Sequence, residues 1–240
     1  MQPDFQLEKS IAIAFDADRI KEPQAKYFDL AYWQSQKAVT GAAKGRGNSF
    51  FIDAPFGQVV LRQYLRGGWA ARISRDQYIY SGVEQSRPFK EFSLLVALLN
   101  LGLPVPKPVA ALCEHHGLLS RGSLMTETLP DTHTLADVLP GKQGGVEFEP
   151  RIWWNTGHCI RQFHDAGVWH ADLNARNILL NPKRKVFLID FDRARYQVGE
   201  MVNGEQNLRR LKRSLNKLCP ASQSKFLAQA WGELRAGYDG

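Results

Sequence analysis

A polar segment, Trp169-His170-Ala171-Asp172-Leu173-Asn174-Ala175-Arg176-Asn177, runs directly into the apolar Ile178-Leu179-Leu180. The pattern is that of a reactive loop anchored by a short strand. A second strand-like run follows, Val186-Phe187-Leu188-Ile189, and closes on Asp190-Phe191-Asp192. Two carboxylates and a carboxamide are therefore expected to meet at one strand-end cleft. That grouping suits phosphoryl transfer from a nucleotide: one Asp positions an attacking hydroxyl and accepts its proton, while an Asn and a second Asp hold Mg²⁺, a hard cation that requires oxygen donors. His170 is better placed to support the loop than to act as a ligand.

The order of these motifs resembles that of the protein-kinase fold, H-R-D-L-x-x-x-N followed by D-F-G. This chain has H-A-D-L-N-A-R-N at 170–177 and D-F-D at 190–192. The resemblance gives Asp172 the role of base and Asn177 and Asp190 the metal roles. Asp192 stands where the pattern has Gly, so backbone flexibility at that turn is not carried over.

The elements that must hold this loop are read from the rest of the chain. At 240 residues and 44% hydrophobic content there is material for one large domain or two small lobes around a cleft. Cys113, Cys159 and Cys219 are odd in number and show no metal-like spacing, so buried thiols in a reducing compartment are expected. Met1–Glu8 lacks a basic region followed by an apolar core, so no export signal is expected, and Leu94–Leu99 is too short to span a bilayer. The formal net charge of +7 favours anionic partners such as nucleotides, acidic lipids or nucleic acid without choosing among them. Basic and aromatic residues are not interleaved, which disfavours nucleic acid, and no feature implies a protein partner.

The first 37 residues show no clear period and read as an N-terminal extension. Val39-Thr40 and Ser49–Ile52 read as strands around a glycine-rich turn, in which Gly45 and Gly47 would bring backbone amides to phosphate and Lys44 and Arg46 would add charge; a plain hairpin turn accounts for the same residues. Gln58–Leu65 is a third strand carrying Arg62 where kinases place a phosphate-gripping Lys, although an edge-strand Arg facing water fits too. Phe92, Leu95, Val96 and Leu99 recur at helical spacing within Ser86–Asn100, with Glu91 placed to pair with Arg62 or to stand exposed in the first turn. Val109–Cys113 and Ser123–Pro130 read as strands, with a nucleotide hinge near Glu127–Pro130 that would hold adenine by backbone groups.

Thr134–Leu139 suggests a short capped helix and Glu149–Ala166 a longer one whose Trp153, Ile160 and Phe163 face the core. The last clear helix is Asn207–Leu218, with Leu208, Leu211, Leu215 and Leu218 on one stripe and basic residues around it. Its leucines are expected to pack inward and its basic side to face an anionic membrane surface. Arg193 and Arg195, close to Asp192, are candidates for binding an acidic acceptor.

The stretch after Asp190 has no A-P-E and no long loop for docking peptides, which points to a compact kinase acting on a small molecule or lipid headgroup. Val39-Thr40-Gly41 with Lys44–Gly47, Val60–Gly68, Arg87–Phe92, Gly102–Pro108, Trp169–Leu180 and Asn207–Leu218 together resemble bacterial 3-deoxy-D-manno-octulosonic acid (Kdo) kinases over about residues 28–220. The resemblance implies an α+β, two-lobed, protein-kinase-like fold, with a small antiparallel-sheet lobe over residues 1–128 and a trimmed, mainly helical lobe over 129–240. It implies transfer of phosphate from ATP, with Mg²⁺, to the 4-hydroxyl of Kdo on a lipid A precursor (Kdo-lipid IVA) in lipopolysaccharide core assembly, at the cytoplasmic side of the inner membrane. Asp172 would activate the hydroxyl, Asn177 and Asp190 hold Mg²⁺, Arg62 and Glu91 organise the phosphates, and Gly45, Gly47 and Glu127 line the nucleotide. A heptose kinase of the same core, or a non-catalytic nucleotide- or lipid-binding regulator on this fold, is the alternative.

Overall fold

The computed structural model describes residues 1–43, 48–64, 78–79, 82–117, 119–140 and 149–240. Gly45 and Gly47, with Lys44 and Arg46, lie outside the described residues. The chain divides into two compact units, Met1–Ala97 with Pro106–Thr128, and Leu98–Val105 with Leu129–Gly240. Among the described residues, no helix is long and apolar enough to cross a membrane.

The first unit is built on an eight-stranded antiparallel sheet. Its strands are β1 (Pro3–Glu8), β2 (Ile11–Asp16), β3 (Val39–Ala42), β4 (Ser49–Ala54), β5 (Gly57–Gln63), β6 (Tyr78–Ile79), β7 (Pro108–His116) and β8 (Leu119–Glu127). They lie in the order β1-β2-β7-β8-β5-β4-β3, with β6 also on β8. The first residues, for which the sequence shows no period, form the β1–β2 hairpin. Ile11-Ala12-Ile13-Ala14-Phe15 is a continuous apolar run that pairs with Ala110–Glu114 of β7 and buries Ile13 and Phe15, whereas Phe5 and Leu7 of β1 stay exposed. An unbroken apolar run without alternation is what a strand covered on both faces looks like.

Helix α1 (Leu30–Ser35) is started by Asp29, whose side chain accepts from the Ala31 N–H at 2.9 Å. It delivers Trp33 into the core beside Phe15, Ile52, Val59, Val109 and Met125, and the buried indole N–H is satisfied by the Tyr27 carbonyl at 2.6 Å. Helix α2 (Arg87–Asn100) forms where expected. Its buried side is Phe89, Phe92, Leu95 and Leu98, so the face is turned slightly from the one counted on Val96 and Leu99.

The second unit contains β9 (His133–Thr134), α3 (Pro150–Asp165), β10 (Val168–Trp169), β11 (Ile178–Leu180), β12 (Val186–Leu188), β13 (Arg195–Tyr196), α4 (Glu205–Leu218) and α5 (Ser224–Asp239). Strands β12-β11-β9 form one small sheet and β10-β13 a pair. The helix expected at Thr134–Leu139 is absent. Thr134 pairs with Leu179 in β9, and the carboxylate of Asp137 accepts from the Thr134 N–H at 3.0 Å and hydroxyl at 2.7 Å, closing a turn instead.

Helix α5 follows the stretch read as the last helix. It buries Ala230, Leu234 and Tyr238 at a spacing of four, and packs on α3 through two glycines. A Cβ on Gly157 would stand 1.9 Å from the Leu234 carbonyl oxygen, and one on Gly237 would stand 2.0 Å from that of Trp154, so only glycine permits so close a crossing. Trp153 is buried and Trp154 is exposed. The three cysteines are free and buried, and burial pushes the Cys159 thiol up to about 12.

Candidate active site

The loop from Trp169 to Asn177 is pinned from three directions within the second unit. The first anchor is His170, which is buried. Its Nδ1 accepts the Asp172 N–H at 3.1 Å, which leaves Nε2 as the protonated nitrogen donating to the Ile189 carbonyl at 3.0 Å. One imidazole thus ties the backbone of the Asp172 segment to the residue before Asp190, the support expected of it.

The second anchor comes from α4. Asn207 is fully buried; its Oδ1 accepts the His170 N–H at 3.1 Å and its Nδ2 donates to the His170 carbonyl at 2.7 Å. The same Oδ1 accepts from His164 Nε2 at 3.0 Å, and His164 Nδ1 accepts from the Tyr238 hydroxyl at 2.8 Å. Ser214, two turns along α4, accepts the Ala175 N–H at 3.2 Å. The third anchor is Asn177, also fully buried, whose Nδ2 donates to the Asp172 carbonyl at 2.8 Å and whose own carbonyl accepts the Ile189 N–H at 3.0 Å. Phe191 closes the frame from below, stacked on Phe163 of α3 at 5.7 Å and tilted against His170 at 5.0 Å.

Within this frame Asp172 projects outward with its side chain more than half exposed (58%). Its Oδ1 accepts from Arg210 Nη1 of α4 at 3.1 Å and its Oδ2 from Asn174 Nδ2 at 3.1 Å. Each carboxylate oxygen has two lone-pair sites, so an incoming hydroxyl can still be accepted. Asp190 has φ +69°, in the left-handed region where a residue with a side chain is held at a cost of about 1 kcal/mol or more. It lies between Ile189, whose carbonyl accepts from His170, and the buried Phe191.

The structure therefore brings Asp172, Asn177 and Asp190 into one hydrogen-bonded frame of loop and hairpin. Asn207, Ser214, His164 and Arg210 belong to it as well and were not singled out by the sequence for this role. The readable signal was Asn207 and Ser214 themselves, polar residues on the apolar side of an otherwise leucine-lined helix.

In the first unit, Arg62 of β5 and Glu91 of α2 meet. Arg62 Nη2 is hydrogen-bonded to Glu91 Oε2 and donates to the Tyr64 hydroxyl at 2.7 Å, while that hydroxyl donates to the same Oε2 at 2.6 Å. Glu91 is buried, so it cannot be the exposed first-turn residue that its segment alone allowed. Arg62 and Arg87 also lie over the Tyr64 ring, at 4.7 and 5.0 Å. Removing the charge with Glu91→Gln is expected to cost about 3 kcal/mol of stability, because the substitution breaks a buried ion pair while leaving the guanidinium in place; urea denaturation measures it. Glu127 ends β8, and its N–H is donated to the Lys107 carbonyl at 2.8 Å.

Residues 30–238 match the family described as "Lipopolysaccharide kinase (Kdo/WaaP) family". The chain belongs to this family. It is 42% identical over 229 residues to the 3-deoxy-D-manno-octulosonic acid kinase of Stenotrophomonas maltophilia (strain R551-3), covering 95% of this chain and 89% of the relative. It is 41% identical over 228 residues to the protein of that name from Xanthomonas euvesicatoria pv. vesicatoria (strain 85-10) and 44% identical over 228 residues to that of Xanthomonas oryzae pv. oryzae (strain PXO99A), each with the same 95% and 89% coverage.

A Kdo/WaaP-family kinase uses ATP, and the donors available for an accompanying cation can be tested against the frame. Among the described residues no group of three or more His, Cys, Asp and Glu could hold a metal. Asn177 and Asp190 instead offer one carboxamide oxygen and one carboxylate, since the Asn177 amide nitrogen is directed at the Asp172 carbonyl. Such a hard-oxygen donor set is of the kind that Mg²⁺ takes and is unlike a zinc site or a protein-caged Ca²⁺ site.

The Kdo/WaaP-family frame also carries a pH dependence. Burial holds His164 below its ordinary value of 6.5, and the Asn207 hydrogen bond only partly opposes this. Below that pH the unfolded chain takes up a proton that the folded chain refuses, so stability falls as the medium is acidified from about pH 7 toward 5. The melting temperature is expected to decline over that window, and His164→Gln is expected to flatten the decline; an unchanged slope in the variant would place the titrating group elsewhere.

Proposed function

We propose that this protein transfers the γ-phosphoryl group of ATP to the 4-hydroxyl of the Kdo residue on a Kdo-bearing lipid A precursor (Kdo-lipid IVA), a step of lipopolysaccharide core biosynthesis. The observation that carries the reading is Asp172, an outward carboxylate on a loop fixed by His170, Asn177 and Asn207, in a chain of the Kdo/WaaP family. Relatives at 41–44% identity named as 3-deoxy-D-manno-octulosonic acid kinases favour Kdo over a heptose and an enzyme over a non-catalytic regulator.

Asp172 orients the sugar hydroxyl and takes its proton as the sugar oxygen bonds to the γ-phosphorus and the bond from phosphorus to the bridging oxygen breaks, releasing ADP. Asn177 and Asp190 would hold Mg²⁺, which when bound would neutralise charge on the phosphate oxygens. Arg62, steadied by Glu91, serves the nucleotide phosphates in place of a lysine, its planar fork suited to two phosphate oxygens. Gly45 and Gly47 line the nucleotide, and the Glu127 carbonyl contacts the adenine. In this reading residues 1–128 and 129–240 are the two lobes of a protein-kinase-like fold, and the protein works as a peripheral protein on the cytoplasmic, anionic side of the inner membrane. No protein partner and no nucleic acid enters the scheme.

The test offers purified protein and ATP a panel of acceptors: Kdo-bearing lipid A precursor, the same lipid without Kdo, and a heptosylated core. Mass spectrometry locates the added phosphate. Phosphate on the Kdo 4-hydroxyl alone supports the reading; phosphate on heptose, or none on any acceptor, overturns it.

A further inference from the structure

The leucine stripe of α4 fixes which way its cations point. Leu208, Leu211 and Leu215 are buried together with Asn207, so Gln206, Arg209, Arg210, Arg213 and Asn216 are carried on the outer side of the helix. With Trp169 as opposite wall, they line an open depression of about 460 Å³. Lys212 also borders it, although its Nζ lies over the Trp231 ring at 5.1 Å. The basic side of α4 thus forms one wall of an open recess.

Two further observations connect the recess to catalysis. Trp169 immediately precedes His170, and its indole is backed by the Arg195 guanidinium at 5.4 Å. Arg210 belongs both to the lining and to the ion pair with Asp172 at 3.1 Å. The recess thus begins at the carboxylate assigned to the acceptor hydroxyl. Arg209 and Arg213 stand one turn apart on the same side of α4, and neither has an ion pair among the described residues.

We propose that this recess seats the carboxylate of the acceptor sugar acid, with Arg213 and Arg209 binding it and Arg210 holding Asp172 toward the hydroxyl of the same sugar. The inference rests on the functional reading above and deepens it by naming what selects a sugar acid. A neutral heptose would leave the guanidinium groups without a partner, whereas the planar fork of arginine matches a carboxylate by paired hydrogen bonds. Arg210 acts as a positioning residue through Asp172, and Trp169 offers an apolar wall to the sugar ring.

The test compares wild type, Arg209→Gln/Arg213→Gln and Arg209→Lys/Arg213→Lys on Kdo-bearing lipid A precursor and on its Kdo methyl ester. The Gln variant is expected to raise the acceptor KM about tenfold or more, as loss of a charged hydrogen bond does, with KM for ATP unchanged and the larger part of the loss in KM rather than kcat. The ester should raise the wild-type KM similarly, the Gln variant should no longer distinguish ester from acid, and the Lys variant should recover part of the preference. A Gln variant that keeps the wild-type preference for the acid overturns the proposal. Loss of retention on acceptor-free phosphatidylglycerol vesicles, with the preference for the acid kept, also overturns it and makes the recess a lipid headgroup seat. Should wild type phosphorylate no Kdo acceptor, the functional reading itself fails, a result distinct from an active enzyme that is indifferent to Arg209 and Arg213.

Discussion

Asp172→Ala is expected to lower kcat for transfer to the Kdo acceptor by about a thousandfold, within the range that a positioned general base contributes, while the melting temperature stays close to that of wild type. The two halves of this expectation have separate physical origins. The loop is held through backbone groups of the residue: the Asp172 N–H on His170 Nδ1 and the Asp172 carbonyl under Asn177 Nδ2. Alanine retains both. Only the outward carboxylate is lost, with its exposed hydrogen bond from Asn174 and its exposed ion pair to Arg210, and exposed pairs contribute at most about 1 kcal/mol. A loop that keeps its shape but has nothing to receive the hydroxyl proton should bind both substrates and turn over neither. Comparison of kcat with KM for each substrate checks the split. Near-normal kcat would remove Asp172 as the base.

The second large effect is expected at Asp190→Asn, also about a thousandfold in kcat, because a neutral amide is a far weaker partner for a dication and for the charge it offsets in the transition state. Asparagine is the informative substitution at this position. It keeps the size of the side chain and, of the residues with a Cβ, it is among the most tolerant of the φ of +69° that Asp190 adopts. The variant should fold, and its activity should need a higher Mg²⁺ concentration to reach its reduced plateau. An unshifted Mg²⁺ dependence would mean that the ion is held by other residues.

Much of the second unit can be read from its residues because one short-range pattern dictates each part. Ile178–Leu180 and Val186–Leu188 are apolar runs flanked by polar loops and form β11 and β12. Placing one strand directly after Asn177 and another just before Asp190, paired antiparallel, is enough to bring both residues to one hairpin end. Glu149–Ala166 and Asn207–Leu218 carry helical periods and become α3 and α4.

The elements that escaped prediction are those whose signal depends on a distant partner. Strand β1 alternates polar and apolar residues only over Asp4–Glu8, leaves Phe5 and Leu7 exposed and takes its register from β2, so its pattern is short and stands out only beside its partner. Helix α5 has a modest apolar face interrupted by glycines, and Gly157 and Gly237 are explained only by each other's helix. Thr134–Leu139 has the composition of a capped helix, yet β11 captures Thr134 as a strand partner and Asp137 turns back to cap it.

The site divides in the same way. Asp172, Asn177 and Asp190, with His170 as their support, are recognisable from type and spacing, whereas the holding roles of Asn207, Ser214 and His164 become specific only in the folded chain. Asn207 looks like an ordinary polar helical residue until its amide is seen to span both backbone groups of His170. Replacing such a residue removes several buried hydrogen bonds at once, which explains why α4 reaches the loop by polar groups rather than by another leucine. Arg210 counted in the sequence as one more cation on a basic face, and the structure gives it a specific carboxylate.

The most direct examination of the central claim is a crystal structure of the protein with Mg²⁺, a non-hydrolysable ATP analogue and a Kdo-bearing acceptor. The account predicts the ion between the analogue's phosphates, Asn177 Oδ1 and the Asp190 carboxylate, with the Kdo 4-hydroxyl within hydrogen-bonding distance of Asp172. An acceptor hydroxyl directed at another residue, with Asp172 facing solvent and the ion bound away from Asn177 and Asp190, would contradict it.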